Sequence, residues 1–420
     1  MTTVEPSSLT VRPRPGGPSA SVWAFADQGV VSLGSFMVTL VMARQLTTAE
    51  FGVFAILLGI QVTASTGHFS LIGIPLMVLS GNKERRDQLP AVALGCTLLT
   101  SGAFTVLLAV TVLVLGRPDL LLLAALALVS SQVQETLRRS LMGRLQFGRA
   151  VVGDAVSYLG QAGGVLALAV AGRLTIAGAF AVMAATSVAA AGVQLWQVRP
   201  SIQMGSYRRE TFEPFWRLGR SLIVINGIGV VTFQCFPWLL GSLRGVTAVG
   251  AFQALYTMVG FANPLMLAVG SIVTARVAHI DEAEPERRRA LELGAALRYG
   301  ILGGAPLALY SGALLVAPGF ALEMFFGPNS AYRSLVPDLR IFVLFSAAHY
   351  LYFVLAGVLC ARQDTRSLFW AQATSALAVP LVTLPLILVA SLRGAVVGAV
   401  VTAAVRAGVA ARRVVQRVAS

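Results

Sequence analysis

The side chains of this chain able to do chemistry are polar residues set inside long apolar stretches. Gln61 and His68 are seven residues apart, and Asp154, Tyr158 and Gln161 follow at spacings of four and three. Gln253, Tyr256, Gly260 and Asn263 repeat that rhythm, Asn226 falls in one stripe with Gln234, and His349 precedes Tyr352 by three. Asp27 stands alone in the first apolar stretch. Such spacings put each set on one helical face. Amides, imidazoles and carboxylates on facing helices can line a wet cavity, bind polar groups and exchange protons. Their bland alternative is hydrogen bonding between helices, worth about 0.6 kcal/mol each.

Signatures of catalysis are missing. The single lysine, Lys83, follows Asn82 instead of the glycine that a phosphate-binding loop requires. His68, His279 and His349 lie far apart, with no spacing suited to zinc, and Gly227 and Gly229 lie inside an apolar stretch, where they favour close helix packing. Cys96, Cys235 and Cys360 are odd in number and sit in apolar windows, which reads as packing, not as a disulfide framework. We therefore expect no enzyme, no catalytic residue, no metal and no cofactor.

The elements that must carry these residues are membrane helices. Of 420 residues, 56% are hydrophobic and 12% charged, where soluble domains average about 25% charged. Nine windows of at least 18 residues lack any charge: 51–82, 88–116, 155–172, 174–198, 221–243, 245–275, 299–322, 341–361 and 367–392. A bilayer crossing takes about 20 apolar residues. Val22 to Ala43, Leu120 to Met142 and Gly394 to Ala411, each interrupted or bounded by charge, complete twelve expected spans. With the N-terminus inside, 25 of the 32 basic residues fall on cytoplasmic connections and 7 outside, as the positive-inside rule requires. Both termini are then cytoplasmic, in a multi-pass protein of the cell (inner or plasma) membrane. The net charge of +14 comes in short clusters at span ends, which suits anionic lipid headgroups and not nucleic acid. The Pro- and Gly-rich residues 1–20 read as a disordered tail, not a secretory signal.

The chain also looks written twice. Phe51-Gly52-Val53-Phe54 opens the second span and Val249-Gly250-Ala251-Phe252 the eighth, 198 residues later. Arg173 precedes Ala177-Gly178-Ala179 at the sixth, and Arg393 precedes Val397-Gly398-Ala399 at the twelfth. The expected class is all-α integral membrane, twelve helices in two six-helix bundles related as a parallel repeat. The expected divisions are a tail (1–20), an N-terminal bundle (21–197), a cytoplasmic linker (198–214), a C-terminal bundle (215–413) and a tail (414–420). A site between the two bundles is the arrangement of many transporters.

The stretch Met42-Ala-Arg-Gln-Leu-Thr-Thr-Ala-Glu-Phe-Gly-Val-Phe resembles the passage at the first outer turn of bacterial polysaccharide-export flippases. Phe326-Gly-Pro-Asn-Ser-Ala-Tyr, Leu339 to Cys360 and Arg393-Gly-Ala-Val-Val-Gly-Ala are similar to their C-terminal half. The pattern runs from about Ser21 to Arg413, and its short apolar motifs mark the multidrug/oligosaccharidyl-lipid/polysaccharide exporter superfamily better than they mark a substrate. The resemblance implies a Wzx-type flippase that moves a polyprenyl-diphosphate-linked oligosaccharide from the cytoplasmic to the outer leaflet. The superfamily also holds multidrug exporters and lipid II flippases, and the latter carry two further spans that this chain lacks.

Such a site must compensate a diphosphate, because one ion in hydrocarbon faces an idealised penalty of order 20 kcal/mol. Arginine matches phosphate oxygens with paired donors. Arg138 and Arg139 beside Glu135, with Arg276 and Arg298, are the expected phosphate anchors; the competing role for each is a membrane-surface anchor. Expected cavity residues are Asp27, Gln61, His68, Asp154, Tyr158, Gln161, Asn226, Gln234, Gln253, Asn263 and His349. Expected partners are the lipid-linked oligosaccharide, anionic lipids, and a polysaccharide polymerase or glycosyltransferases. Two alternatives stay open: a cation-coupled multidrug exporter, with Asp27 or Asp154 as coupling group, and a membrane glycosyltransferase using Glu50, Asp119, Glu323 or Asp338.

Overall fold

Residues 20–80, 88–199, 209–280 and 284–416 are described by a computed structural model. The expected tails at 1–19 and 417–420, the basic residues Lys83, Arg85 and Arg86, and linker residues 200–208 lie outside the described residues. The described chain is helical, with no strand among the described residues. An apolar chain in a bilayer has no water to satisfy its backbone, and a helix satisfies it internally.

The first seven spans are α1 (Ala26–Gln45), α2 (Thr48–Leu79), α3 (Leu89–Val114), α4 (Pro118–Gly143), α5 (Phe147–Val170), α6 (Ile176–Val198) and α7 (Phe212–Arg244). α8 is broken into Val246–Gly260 and Asn263–Ala278, which meet at 47°. α9 (Glu286–Val316) and α10 (Ala331–Ala361) follow. The last apolar stretch, Thr365–Gln416, has 52 residues, about 78 Å as one helix and far more than the roughly 30 Å of a hydrocarbon core. It reverses at Ser391, whose φ of 53° is left-handed. Ser375 Oγ then donates to the Thr402 carbonyl at 3.3 Å, and the Thr383 and Thr402 hydroxyls lie 3.4 Å apart. Two antiparallel spans result, α11 (365–390) and α12 (392–416), and the total is the expected twelve.

Local chemistry sets the boundaries. Thr47 caps α2 by accepting from the Glu50 amide with its side chain, while the Thr47 backbone amide donates to Glu50 Oε2 at 3.1 Å. Thr175 caps α6 and Asp364 caps α11 in the same way. At the α8 break, Pro264 sits in the first turn of the second half, where it lacks the amide that would continue the first. Turns with one extra residue occur at Phe69–Gly73 in α2, Ala155–Leu159 in α5 and Val379–Thr383 in α11. Such bulges often accompany functional sites.

The two halves pack alike. α4 lies along α6 as α10 lies along α12, α3 on α4 as α9 on α10, and α1 on α5 as α7 on α11. The lobes meet mainly where α2 touches α7 and α8. We call the side carrying both ends of the described chain the terminal face and the opposite side the distal face. In the distal half one apolar cluster runs through both lobes, with Phe54 on Phe180 at 5.6 Å and Phe252 between Phe236 (5.9 Å) and Phe342 (5.4 Å). Toward the terminal face the core divides into smaller clusters, such as one around Leu137, Leu141 and Val198 and another around Val273, Val358 and Ala410.

The reversal at Ser391 makes a direct prediction. A Cβ at Gly394 would lie 1.9 Å from the Leu386 carbonyl oxygen, whereas one at Gly408, on the same helix, meets nothing within 4 Å. Gly394→Ala is expected to lower the thermal unfolding midpoint of the purified protein. Gly408→Ala should leave it unchanged or raise it, since alanine suits a helix interior by about 0.5–1 kcal/mol.

Candidate functional site

The N-terminal lobe is organised around one guanidinium. Glu135, Arg138 and Arg139 share a face of α4; Asp27 comes from α1, and Asp154 comes from α5 immediately before its bulge. Arg138 is only 5% exposed and bonds Asp27, Glu135 (2.9 Å) and Asp154 (2.5 Å). Arg139 pairs with Glu135 at 2.6 Å and lies over the Phe69 ring at 4.5 Å. Gln134 donates to Asp154 at 2.8 Å. Three carboxylates thus face two guanidiniums, a formal excess of one negative charge. Asp27 Oδ1 and Asp154 Oδ2 are buried without an aligned hydrogen bond, although Asp154 Oδ2 touches Arg138 Nε.

Beside this cluster is a cavity of about 350 Å³. Gln61, Ser65, Glu135, Arg138, Tyr158 and Gln161 contribute to its wall. His68 lies behind it: its Nε2 is 2.8 Å from the Thr136 hydroxyl and 3.1 Å from that of Thr97, which closes a buried triad at 2.6 Å.

The C-terminal lobe has a different electrostatic centre. Arg406 of α12 hydrogen-bonds His349 Nδ1 on α10, and its guanidinium stacks 4.1 Å from the Tyr352 ring centre. Among the described residues no carboxylate pairs with Arg406, and its Nε has no acceptor. It borders a small pocket with Thr232, Phe233, Ser375 and Thr402. The N-terminal lobe therefore carries excess negative charge at its centre and the C-terminal lobe an uncompensated positive one. Arg406 is the functional candidate that sequence reasoning passed over. Its signal was present as the one charge interrupting the last apolar stretch.

Between the lobes the two seams differ. On the α2–α7 seam Asn226 donates to Ser70 at 3.0 Å, and Gln234 presses on the backbone at Gly59. On the α1–α8 seam a cavity of about 510 Å³ separates Gly29, Ser32, Ser35, Phe36 and Thr39 from Gln253, Tyr256 and Asn263. Ser35 and Thr39 also line the N-lobe cavity, so the two spaces share a wall on α1. The rim residues Leu33 and Phe261 are exposed. Asn263 donates to the Tyr256 hydroxyl at 3.2 Å, and Tyr256 packs on Phe233 at 4.6 Å. The remaining expected anchors, Arg276 and Arg298, are exposed at the terminal face and share the Tyr299 ring at 5.3 and 6.0 Å.

No protein-family model and no curated protein matches this sequence. Solved structures do. An inward-facing multidrug-resistance MATE transporter of the MOP superfamily is similar over 96% of both chains, with a TM-score of 0.71 at 14% identity. The lipid II flippase MurJ in an inward closed conformation is similar over 94% of this chain and 87% of its own, with a TM-score of 0.71 at 12% identity. A MOP transporter from Pyrococcus furiosus, described by the reverse polarity of its binding pocket, covers 95% of this chain and 94% of its own, with a TM-score of 0.61 at 13% identity. The chain therefore has the twelve-helix fold shared by MOP superfamily transporters.

Proposed function

We propose that this protein is a flippase that carries a polyprenyl-diphosphate-linked oligosaccharide from the cytoplasmic to the outer leaflet by alternating access. The observation that carries this reading is the α1–α8 cavity. Its walls are mainly apolar, with the polar groups of Ser32, Ser35, Thr39, Gln253 and Asn263 set among them and exposed apolar residues at its rim, so a headgroup finds hydrogen-bonding partners inside while its polyprenyl tail remains in the bilayer. The terminal face is the cytoplasmic one in this reading, since Arg144, Arg149, Arg199, Arg217, Arg220, Arg276 and Arg298 stand at that end. Arg276 and Arg298 receive the diphosphate at the mouth. Arg138 and Arg139 already face three carboxylates, so their charge is largely answered from within. Arg406, which has no carboxylate, is the anchor we assign to the diphosphate as the lobes rearrange. Gln61, Tyr158, Gln161, Gln253 and Asn263 supply the hydrophilic lining, Asp27 and Asp154 lie behind it and hold Arg138, and His349 holds Arg406 in place.

The membrane potential gives the cycle a direction. One charge crossing 100 mV is worth about 2.3 kcal/mol, so a diphosphate with about two negative charges gains roughly 4–5 kcal/mol on leaving a negative cytoplasm.

A second reading, cation-coupled multidrug export, is favoured by the excess negative charge around Asp27, Glu135 and Asp154. There, protonation of an aspartate would loosen Arg138 and couple ion entry to rearrangement.

Three outcomes test these readings. In proteoliposomes fed a fluorescent polyprenyl-diphosphate oligosaccharide, Arg406→Ala should lower the initial flipping rate about tenfold or more. This is the scale of a lost hydrogen bond to a charged group, and Arg406→Lys should retain part of the rate; an unchanged rate in Arg406→Ala removes the assigned anchor. Imposing a potential negative on the loading side should accelerate flipping, and indifference to it argues against charge-driven transport. Expression in a host lacking its drug pumps should leave the inhibitory concentrations of cationic dyes unchanged, whereas a rise abolished by Asp27→Asn would favour the second reading.

A further inference from the structure

The two glycines of the repeated motif meet each other across the lobes. Gly52 is in the first turns of α2 and Gly250 in those of α8, 198 residues apart. A Cβ at Gly52 would lie 1.8 Å from the Val246 carbonyl oxygen and 3.0 Å from the Gly250 amide. One at Gly250 would lie 1.9 Å from the Thr48 carbonyl oxygen and 3.1 Å from the Gly52 amide. Val246 is also 198 residues beyond Thr48. The contacts are therefore reciprocal, and the pseudo-twofold axis of the molecule passes through this crossing. No residue larger than glycine fits there, because each helix backbone fills the space of the other's side chain.

Around the crossing everything joins the lobes. Phe51, Phe54, Val249, Phe252 and Phe342 belong to the single apolar cluster of the distal half. Tyr332, buried in the first turn of α10 at the distal face, packs beside Thr47 and Thr48. Phe36 of α1 rests on Phe261 (4.9 Å) and Phe325 (6.0 Å). Toward the terminal face the α1–α8 seam instead parts into the cavity.

We infer that the Gly52–Gly250 crossing is the distal gate: its backbone contact closes the cavity to that face, and opening to that face requires the two helices to separate there. This rests on the alternating-access reading, but the crossing is testable as a distance, without any substrate. A side chain at either glycine forces the helices apart at that point only, so it must bias the molecule toward the state open at the distal face.

The experiment places spin labels on Arg173→Cys and Asn329→Cys, exposed distal positions on opposite lobes, in the full chain with Cys96, Cys235 and Cys360 replaced by alanine, in lipid nanodiscs. Gly52→Ala and Gly250→Ala should each shift the interlobe distance distribution to longer values. Gly227→Ala on α7, where a Cβ meets nothing within 4 Å, should leave it unchanged. A folded Gly52→Ala protein with the unshifted distribution overturns the proposal. A second measurement keeps both glycines. In a Thr48→Cys/Val246→Cys chain, a short thiol cross-linker should join the two helices, and the added Gly52→Ala change should suppress the product. Absence of cross-linking in the folded double-cysteine protein also overturns it. Failure of either measurement leaves the identity of the substrate untouched, because neither reads transport.

Discussion

The structure depends on keeping Arg138 charged inside the membrane. A lone guanidinium among apolar helices costs several kcal/mol to bury, and a lone carboxylate as much, so each is tolerable only in company. Here α1, α4 and α5 each bring a carboxylate to the same guanidinium. That meeting fixes the relative rotation of three helices in the N-terminal lobe, and it fixes which polar faces look into the cavity. Removing Arg138 would strand buried carboxylates without their counter-charge, a loss of about 3–5 kcal/mol by analogy with other buried pairs. In the C-terminal lobe the buried ion pair, Glu292 of α9 with Arg362 beyond α10, lies near the terminal face, and the central Arg406 rests on rings and an imidazole instead. Two halves with the same packing pattern thus carry opposite charge at their centres.

That asymmetry bears on transport. In the proposed flippase cycle, an anionic headgroup between the lobes would be held against the C-terminal lobe, where Arg406 has no carboxylate partner among the described residues. The broken α8 contributes the geometry. Because Pro264 starts its second half in a new direction, the α1–α8 seam opens, while the unbroken α2 stays bonded to α7 through Ser70 and Asn226. One seam is bonded and the other holds the cavity.

Much of this was legible in the sequence because it is local. Charge-free windows of bilayer length pointed to nine spans and apolar stretches interrupted or bounded by charge to the other three, and the last of these began at Gly394, where only glycine clears Leu386 in the reversal. The motif repeated at 51–54 and 249–252 pointed to a duplication, and the structure brings its two glycines together. Helical spacing placed Gln61, Tyr158 and Gln161 on one cavity wall and Gln253 with Asn263 on another. What sequence spacing cannot carry is pairing between distant helices. Arg138 reads as a phosphate anchor beside Glu135 until Asp27, 111 residues earlier, is folded against it. His68 shares a helical face with Gln61, yet Thr97 and Thr136 of two other helices engage it. Arg406 reads as a blemish in an apolar span until its surroundings prove to lack a carboxylate.

The most direct measurement is a cryo-electron microscopy structure of the protein in nanodiscs with a polyprenyl-diphosphate oligosaccharide bound. The account predicts phosphate density against Arg406, the polyprenyl chain leaving through the α1–α8 seam, and Arg138 still held by Asp27, Glu135 and Asp154. Phosphate density on Arg138 with those ion pairs broken, or a lipid lying along the α2–α7 seam, would contradict it.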